Sequence, residues 1–493
     1  MADIVVSLNN YSMMYVQCDR GVAAELSEYF SFFVPGYKFM PAYKNRVWDG
    51  KIRLFNQMTN ELNSGLLVYV VKFCYERNYT LDIEESHYGY GLPGVKDPLD
   101  LEQFNEFFKT LKTPYSLRDY QYKAVIEGIR RRQAILLSPT GSGKSFIIYT
   151  IMKWILHSTD NKVLVIVPTT SLVEQMYSDF KDYGCDVENE VHRIYSGKDK
   201  TTNKRVIVST WQSIYKFPKK WFEQFDAVFG DECHGFKSKS LSSIMNKSTE
   251  AKYRFGTTGT LDGTQTHKLV LEGLFGPVYN VTMTKTLQDE GHLAPLDIKV
   301  LSLKYSDESR NNLKGATYQD EIDFLVAHQK RNNFITNLAL SLDGNTLVLF
   351  RYVDRHGKQL YDLINTKAEE GRKIFFVHGD VDTSDREATR KIVEKQKNAI
   401  IVASLGTFST GINIRNLHNI VFASPSKSQI KVLQSIGRGL RVAEDGRITQ
   451  LFDIADDLSW GKRRNYTLLH SAQRIKMYDD QQFNYKIVKV DLE

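Results

Sequence analysis

The octad Ser138-Pro139-Thr140-Gly141-Ser142-Gly143-Lys144-Ser145 restricts the fold more tightly than any other stretch of this chain. The apolar run Ala134 to Leu137 before it reads as a buried strand. Phe146 to Leu156 after it reads as a helix. Strand, glycine-rich loop and helix in that order are the context a P-loop requires. The glycines let backbone N–H groups turn inward on phosphates, and the helix N-terminus adds a favourable dipole. Thr140, Gly141, Ser142, Gly143, Lys144 and Ser145 are the candidate ATP-binding residues on this loop. Lys144 is expected to pair with the β/γ-phosphates, and Ser145 to hold Mg²⁺.

The carboxylate half of such a site lies 87 residues beyond Lys144, where Ala227 to Phe229 runs into Asp231-Glu232-Cys233-His234. A buried strand brings two carboxylates to the carboxyl edge of a sheet, where ligands bind in open α/β folds. Asp231 is expected in the Mg²⁺ shell, and Glu232 as the base that orients and deprotonates the attacking water. Cys233 reads as packing. Further on, Gln434-Ser435-Ile436-Gly437-Arg438-Gly439-Leu440-Arg441 places two arginines three residues apart, on one helix face. Their planar forks bind phosphate oxygens bidentately. Supplied from a second lobe, Arg438 and Arg441 would make hydrolysis depend on closure. Lys144, Glu232, Arg438 and Arg441 are the candidate catalytic set.

Short apolar runs alternating with helical patterns recur twice, the signature of parallel α/β sheets. The first series includes Ala134 to Leu137, Val163 to Val167, Val206 to Val208 and Ala227 to Phe229. The second includes Leu347 to Phe350, Ile374 to Val377, Ile400 to Val402, Ile420 to Phe422 and Leu451 to Ile454. Two doubly wound sheets joined near residues 284–296 are the simplest account. Upstream, strand-like stretches (Ile4 to Leu8, Met14 to Cys18, Leu66 to Val71) mix with helical ones, and Gly89 to Pro98 reads as a linker. The expected division is residues 1–98, a small α+β domain with its linker; 99–290, the ATP-binding lobe; and 291–493, the arginine-bearing lobe with the C-terminal tail.

At 493 residues the chain is too long for one core. Its 65 basic and 58 acidic residues give +7, a tilt toward a polyanionic partner. Cys18, Cys74, Cys185 and Cys233 lack metal-site spacing and read as reduced thiols. No apolar run approaches a membrane span and no signal peptide is evident, so a cytoplasmic location is expected.

Other signals are local. Thr258 and Thr260, within Thr257-Thr258-Gly259-Thr260, are candidate coupling residues, as are Gly411 (in Ser409-Thr410-Gly411-Ile412-Asn413) and Gln434. Thr169, Thr170 and Trp211 follow strands and are candidate DNA contacts, although Trp211 fits a core position equally. Gln121, after Tyr120, fits an adenine-reading element. Residues 1–98 hold 9 basic and 11 acidic groups, yet between Tyr37 and Phe55 five cations (Lys38, Lys44, Arg46, Lys51, Arg53) meet one acid, Asp49. Tyr37, Phe39, Tyr43, Trp48 and Phe55 are interleaved. Cations for phosphates and rings for unpaired bases suit nucleic-acid binding; an exposed basic hairpin with core aromatics is the alternative. The tail from Asp456, with 7 basic and 6 acidic residues, does not read as a basic arm.

Taken together these motifs resemble the superfamily-two DExH helicases, whose members tolerate Ser138 where a P-loop usually opens with glycine; many of them have Asp where Asn413 stands. Trp48-Asp49-Gly50-Lys51-Ile52-Arg53, Lys314-Gly315-Ala316-Thr317-Tyr318-Gln319 and Phe483-Asn484-Tyr485 narrow the resemblance to the recombination helicases of large tailed phages. It implies two RecA-like lobes in tandem behind a small N-terminal DNA-binding domain, with ATP and Mg²⁺ as cofactors. It also implies unwinding and branch migration of branched DNA, with RNA–DNA hybrids as a further substrate. No protein partner is legible; a recombination or single-strand-binding protein is the class such a helicase suggests. A translocating restriction subunit, an RNA helicase and a non-catalytic ATP-gated clamp are the competing readings. No nuclease-like carboxylate–lysine cluster is evident, and Glu232 with both arginines argues for turnover rather than clamping.

Overall fold

The computed structural model describes residues 2–84, 99–197, 199–261, 264–379, 392–407, 414, 416–424, 436–437 and 448–492. Residues 89–98, Gly411, Asn413, Gln434, Arg438 and Arg441 therefore lie outside the described residues. The chain forms two compact units, Met1–Ser138 with Gly143–Val281 and Pro139–Ser142 with Thr282–Glu493.

The first unit opens with strands β1 (Ile4–Leu8), β2 (Met13–Cys18), β3 (Ser31–Phe33), β4 (Lys51–Arg53), β5 (Glu61–Asn63) and β6 (Leu81–Ile83). Four of them form a mixed sheet in the order β5-β2-β1-β6, while β3 and β4 make a separate antiparallel ribbon. Ile4, Val6, Met14 and Val16 alternate inward along β1 and β2, the period of a half-buried sheet. The stretch Leu66 to Val71, expected as a strand, is a correction: it opens the helix Leu67–Arg77. Leu67, Val70, Phe73 and Cys74 recur at helical spacing and all are buried, which outweighs the β-branched composition.

Strands β7 (Gln133–Leu137), β8 (Lys162–Val167), β9 (Val191–Ile194), β10 (Val206–Thr210), β11 (Phe225–Asp231), β12 (Tyr253–Thr258) and β13 (Val278–Asn280) form a parallel sheet ordered β13-β7-β12-β11-β8-β10-β9. Its strands send alternate residues into two core layers, Ala134 and Leu136 into one and Ile135 into the other. Burial on both faces explains why these strands read as continuous apolar runs.

The N-terminal sheet is joined to this lobe by buried polar contacts. Arg254 on β12 is fully enclosed and donates to the carbonyls of Met245 (2.8 Å), Ser248 (2.8 Å) and Leu274 (2.9 Å) and to Ser12 Oγ (3.4 Å). Tyr69 donates to Glu272 at 2.6 Å. Gly65 lies so close to the carbonyl of Glu272 that a Cβ there would clash with backbone.

The second unit carries β14 (Leu296–Lys304), β15 (Thr346–Phe350), β16 (Ile374–Val377), β17 (Ile400–Ser404), β18 (Asn419–Phe422), β19 (Thr449–Asp457) and β20 (Tyr485–Asp491), again all parallel, in the order β16-β17-β15-β18-β19-β14-β20. Two ion pairs are buried against β19. Arg331 meets Asp456 at 2.7 and 3.0 Å, with Tyr305 donating to the same carboxylate at 2.7 Å. Arg474 meets Asp453 at 2.7 Å, with Tyr478 donating at 2.9 Å.

Candidate active site

Register alone collects the first lobe's polar residues at one edge. Leu137 pairs with Thr258 and Asp231 with Thr257, so β7, β11 and β12 end side by side. The phosphate loop leaves β7 there, tied back by the Ser138 N–H donating to the Thr258 carbonyl at 2.9 Å. Gly141 and Gly143 take φ of +85° and +80°, conformations that suit glycine. A side chain at Gly143 would also strike the amide nitrogen of Gln121. That places Gln121 against the loop, where it is almost wholly buried and accepts the Arg118 N–H at 3.0 Å at the start of helix Asp119–Arg131.

Each charged or hydroxyl group of the loop and of the strand ends rests on a neighbour. Lys144 Nζ donates to the Ser138 carbonyl at 3.2 Å, and Ser142 Oγ to the Pro139 carbonyl at 2.7 Å. Ser145 Oγ shares a hydrogen bond of 2.8 Å with the hydroxyl of Tyr183, a phenol that burial pushes up to about 12. Thr257 Oγ1 donates to Asp231 at 2.7 Å. Glu232, at φ 50° in the left-handed region, lies 3.3 Å from Nδ1 of His234, and that nitrogen is also 3.0 Å from Thr258 Oγ1. A non-glycine residue in that region costs about 1–2 kcal/mol, strain that recurs at functional sites. Thr258 Oγ1 in turn donates to the Thr260 carbonyl at 3.0 Å, while Thr260 Oγ1 is buried with no partner among the described residues.

Asp231 is the electrostatic anomaly of this edge. It is enclosed by protein and makes no ion pair among the described residues. Burial, then the charge of Glu232, raises its carboxyl above the usual range, opposed by Lys144 and the Thr257 hydroxyl. A buried carboxylate that favours neutrality unless a cation arrives suits a hard divalent ion such as Mg²⁺. Of the residues expected at the site, Gln121, the loop, Asp231, Glu232, Thr258 and Thr260 are thus brought to one edge of the sheet. The sequence did not single out Thr257, Tyr183 or the bond of His234 to Thr258. His234 is adjacent in the motif; Tyr183 left no local trace.

The expected DNA contacts divide. Thr169 caps helix Thr170–Asp182, accepting the Leu172 N–H at 3.4 Å. Trp211 packs against the buried layer and edge-on to Tyr215 at 5.8 Å, which favours its core alternative. In the N-terminal domain, Phe55 is core, at 2% exposure. Lys51 pairs with Glu28 at 3.1 Å, Arg53 pairs with Asp49, and the Trp48 indole N–H donates to the Lys51 carbonyl at 2.8 Å. Lys38, Lys44 and Arg46 remain exposed, and with half-buried Tyr43 and Trp48 they line a surface cleft of about 510 Å³.

Residues 3–84 match the family described as DNA helicase UvsW, N-terminal; residues 114–263 match Type III restriction enzyme, res subunit; and residues 329–443 match the helicase conserved C-terminal domain. Across 99% of its length the chain is 36% identical to the ATP-dependent DNA helicase uvsW of Enterobacteria phage T4, of which it covers 100%. The chain belongs to the UvsW helicase family. The crystal structure of T4 UvsW superposes with a TM-score of 0.52 at 34% identity, covering 100% of both chains. A more distant relative, the DNA 3'-5' translocase XPB2 of Sulfurisphaera tokodaii, is 24% identical over 60% of this chain and 61% of its own length. The UvsW relationship accounts for both parallel sheets and for the small N-terminal domain ahead of them. As a member of the family the chain uses a nucleotide and binds DNA. No described helix is long and apolar enough to cross a membrane.

Proposed function

We propose that this chain is an ATP-dependent DNA helicase that unwinds and branch-migrates branched DNA in recombination, replication and repair. The observation that carries the reading is the edge of the first sheet, where Lys144, Ser145, Asp231 and Glu232 converge in a chain of UvsW-family length. Lys144 exchanges the Ser138 carbonyl for phosphate oxygens, and Gln121, pinned beside Gly143, reads the base. Ser145 and Asp231 would hold Mg²⁺, which would neutralise phosphate charge there. Glu232 accepts the proton of the attacking water, and His234, 3.3 Å from its carboxylate, is hydrogen-bonded to Thr258. Arg438 and Arg441 are the residues that would answer the γ-phosphate charge during hydrolysis. The working division is three domains, residues 1–98, 99–290 and 291–493, in the host cytoplasm. RNA–DNA hybrids are a second substrate, and a single-strand-binding or recombination protein the partner class.

The test is ATP turnover and strand separation with single-stranded, duplex and four-way-junction DNA and with RNA, beside an assay for cleaved ends. Junction DNA should be resolved without cleavage. Lys144→Ala should abolish turnover and keep junction affinity. Glu232→Gln should bind ATP yet hydrolyse it about 10²–10⁴-fold more slowly. Cleaved ends, or full turnover in Lys144→Ala, would overturn the reading.

A further inference from the structure

The C-terminal tail looks balanced in bulk, but its charges are not evenly placed. Beyond β19 the chain makes a tight hairpin: Trp460 and Arg463 exchange two backbone hydrogen bonds, each 3.0 Å, across Gly461 at φ +56°. Its tip and descending limb present Lys462, Arg463 and Arg464 in a row, all exposed and without an acidic partner among the described residues. The nearest acid in sequence, Asp457, accepts from the Ser459 N–H and hydroxyl instead.

The hairpin is held rigidly at its base. Asn465 accepts the Leu458 N–H at 3.0 Å and donates to the Asp456 carbonyl at 3.0 Å and to Glu321 at 2.8 Å. Buried Glu321 also accepts the backbone N–H groups of Tyr466 (2.9 Å) and Thr467 (2.7 Å). A carboxylate therefore already occupies the start of helix Tyr466–Asp480, and the anion-seeking groups here are the hairpin side chains alone.

Rings accompany the cations. Trp460 is half-buried with the Lys314 ammonium 5.8 Å from its ring, and Tyr466, 40% exposed, meets Tyr318 edge-on at 6.1 Å. Lys314 and Tyr318 belong to the 314–319 stretch, to which nothing in the ATP site gives a role. The 351–355 turn adds Arg351, whose guanidinium donates to the Tyr318 hydroxyl at 3.1 Å. Strands β14 and β19 are parallel neighbours, and β15 runs parallel to them in the same sheet with β18 between it and β19, so the segments after all three leave its carboxyl edge.

We infer that this hairpin and the 314–319 loop form a second nucleic-acid site, one that grips an unpaired strand by phosphate contacts from Lys462, Arg463 and Arg464 and by stacking of a base on Trp460. An acidic protein segment would satisfy the cations but gives no use for rings beside them. Unpaired nucleotides satisfy both. The inference rests on the helicase reading and adds to it a place where the second lobe holds DNA.

The full-length protein is titrated against fluorescent oligothymidylate across a salt series, in parallel with a polyglutamate probe. Replacing Lys462, Arg463 and Arg464 together by Ala should flatten the log–log salt slope by about two units, since each phosphate contact on a single strand carries about 0.7. Trp460→Ala should weaken binding about ten-fold with the slope unchanged, and Trp460→Phe should restore most of it. DNA-free ATP turnover and the melting temperature should stay at wild-type values in the triple variant. An unchanged slope in the triple variant, when the wild-type protein binds oligothymidylate and hydrolyses ATP, overturns this inference alone. Loss of polyglutamate binding with DNA binding intact assigns the patch to a protein and overturns it too. A wild-type chain that neither binds DNA nor hydrolyses ATP overturns the helicase reading itself.

Discussion

The two units each bury carboxylates on strands of their parallel sheets, and they treat them in opposite ways. Asp456 and Asp453 in the second unit are enclosed against Arg331 and Arg474, with tyrosine hydroxyls filling the remaining acceptor positions. Asp231 in the first is enclosed with one threonine hydroxyl and a lysine whose hydrogen bond goes to the Ser138 carbonyl. Desolvating a carboxylate costs several kcal/mol unless a cation offsets it. A carboxylate whose cation is part of the chain is architecture. One that lacks it is a place for an arriving ion. The difference separates structural from functional acids in a molecule where both look equally buried.

Removing the cation from a structural pair should have the largest effect. Arg331→Ala strands Asp456 in the interior and should cost about 3–5 kcal/mol, read by urea unfolding of the second unit. A loss below about 1 kcal/mol would erase the distinction. Asp231→Asn should leave the ligand-free melting temperature unchanged or higher, because it removes a desolvated charge. It should instead abolish the protection that Mg²⁺ with a non-hydrolysable ATP analogue gives wild type, about 2.7 kcal/mol at a hundred-fold excess over Kd.

His356 tests the same interior with a group that is neither paired nor waiting. Burial, then the charge of Arg331, holds its imidazole down at about 3, and it is bonded to Ser424 and Asn332. Its folded value lies below the ordinary 6.5, so its contribution is complete above that pH and fades as pH falls toward 3. Between pH 7 and pH 5 wild type should lose about 2 kcal/mol more than His356→Asn, in matched urea titrations. The smallest effect belongs to Arg53→Ala. Its pair with Asp49 is open to solvent, so the urea midpoint should barely move. A larger loss would mean that this surface pair behaves like a buried one.

The sequence made the first-lobe site legible because its chemistry is local. A glycine loop must follow a strand, and the Asp231-Glu232 pair follows a run that can only be buried. What escaped was non-local. Arg331 and Asp456 lie 125 residues apart, and no periodicity links them. β12 was missed because Arg254 and Gly256 break its apolar run, and β20 because four of its seven residues in succession are exposed. Leu66 to Val71 carries the composition of a strand and the spacing of a helix, and tertiary burial decided for the helix. In the N-terminal cluster composition located five cations, but only geometry showed that Glu28 and Asp49 already engage two of them.

Arg254 gives the N-terminal domain a mechanical character. Its guanidinium reaches Ser12 from the start of β12, and the same strand ends four residues later at Thr258, which touches both His234 and the phosphate-loop strand. With Tyr69 bonded to Glu272 and Gly65 seated on that helix's carbonyls, the seam has no slack. The N-terminal domain is then an outrigger rather than a tethered module. A displacement of the first lobe is thereby passed to the surface that carries Lys38, Lys44 and Arg46 through protein packing.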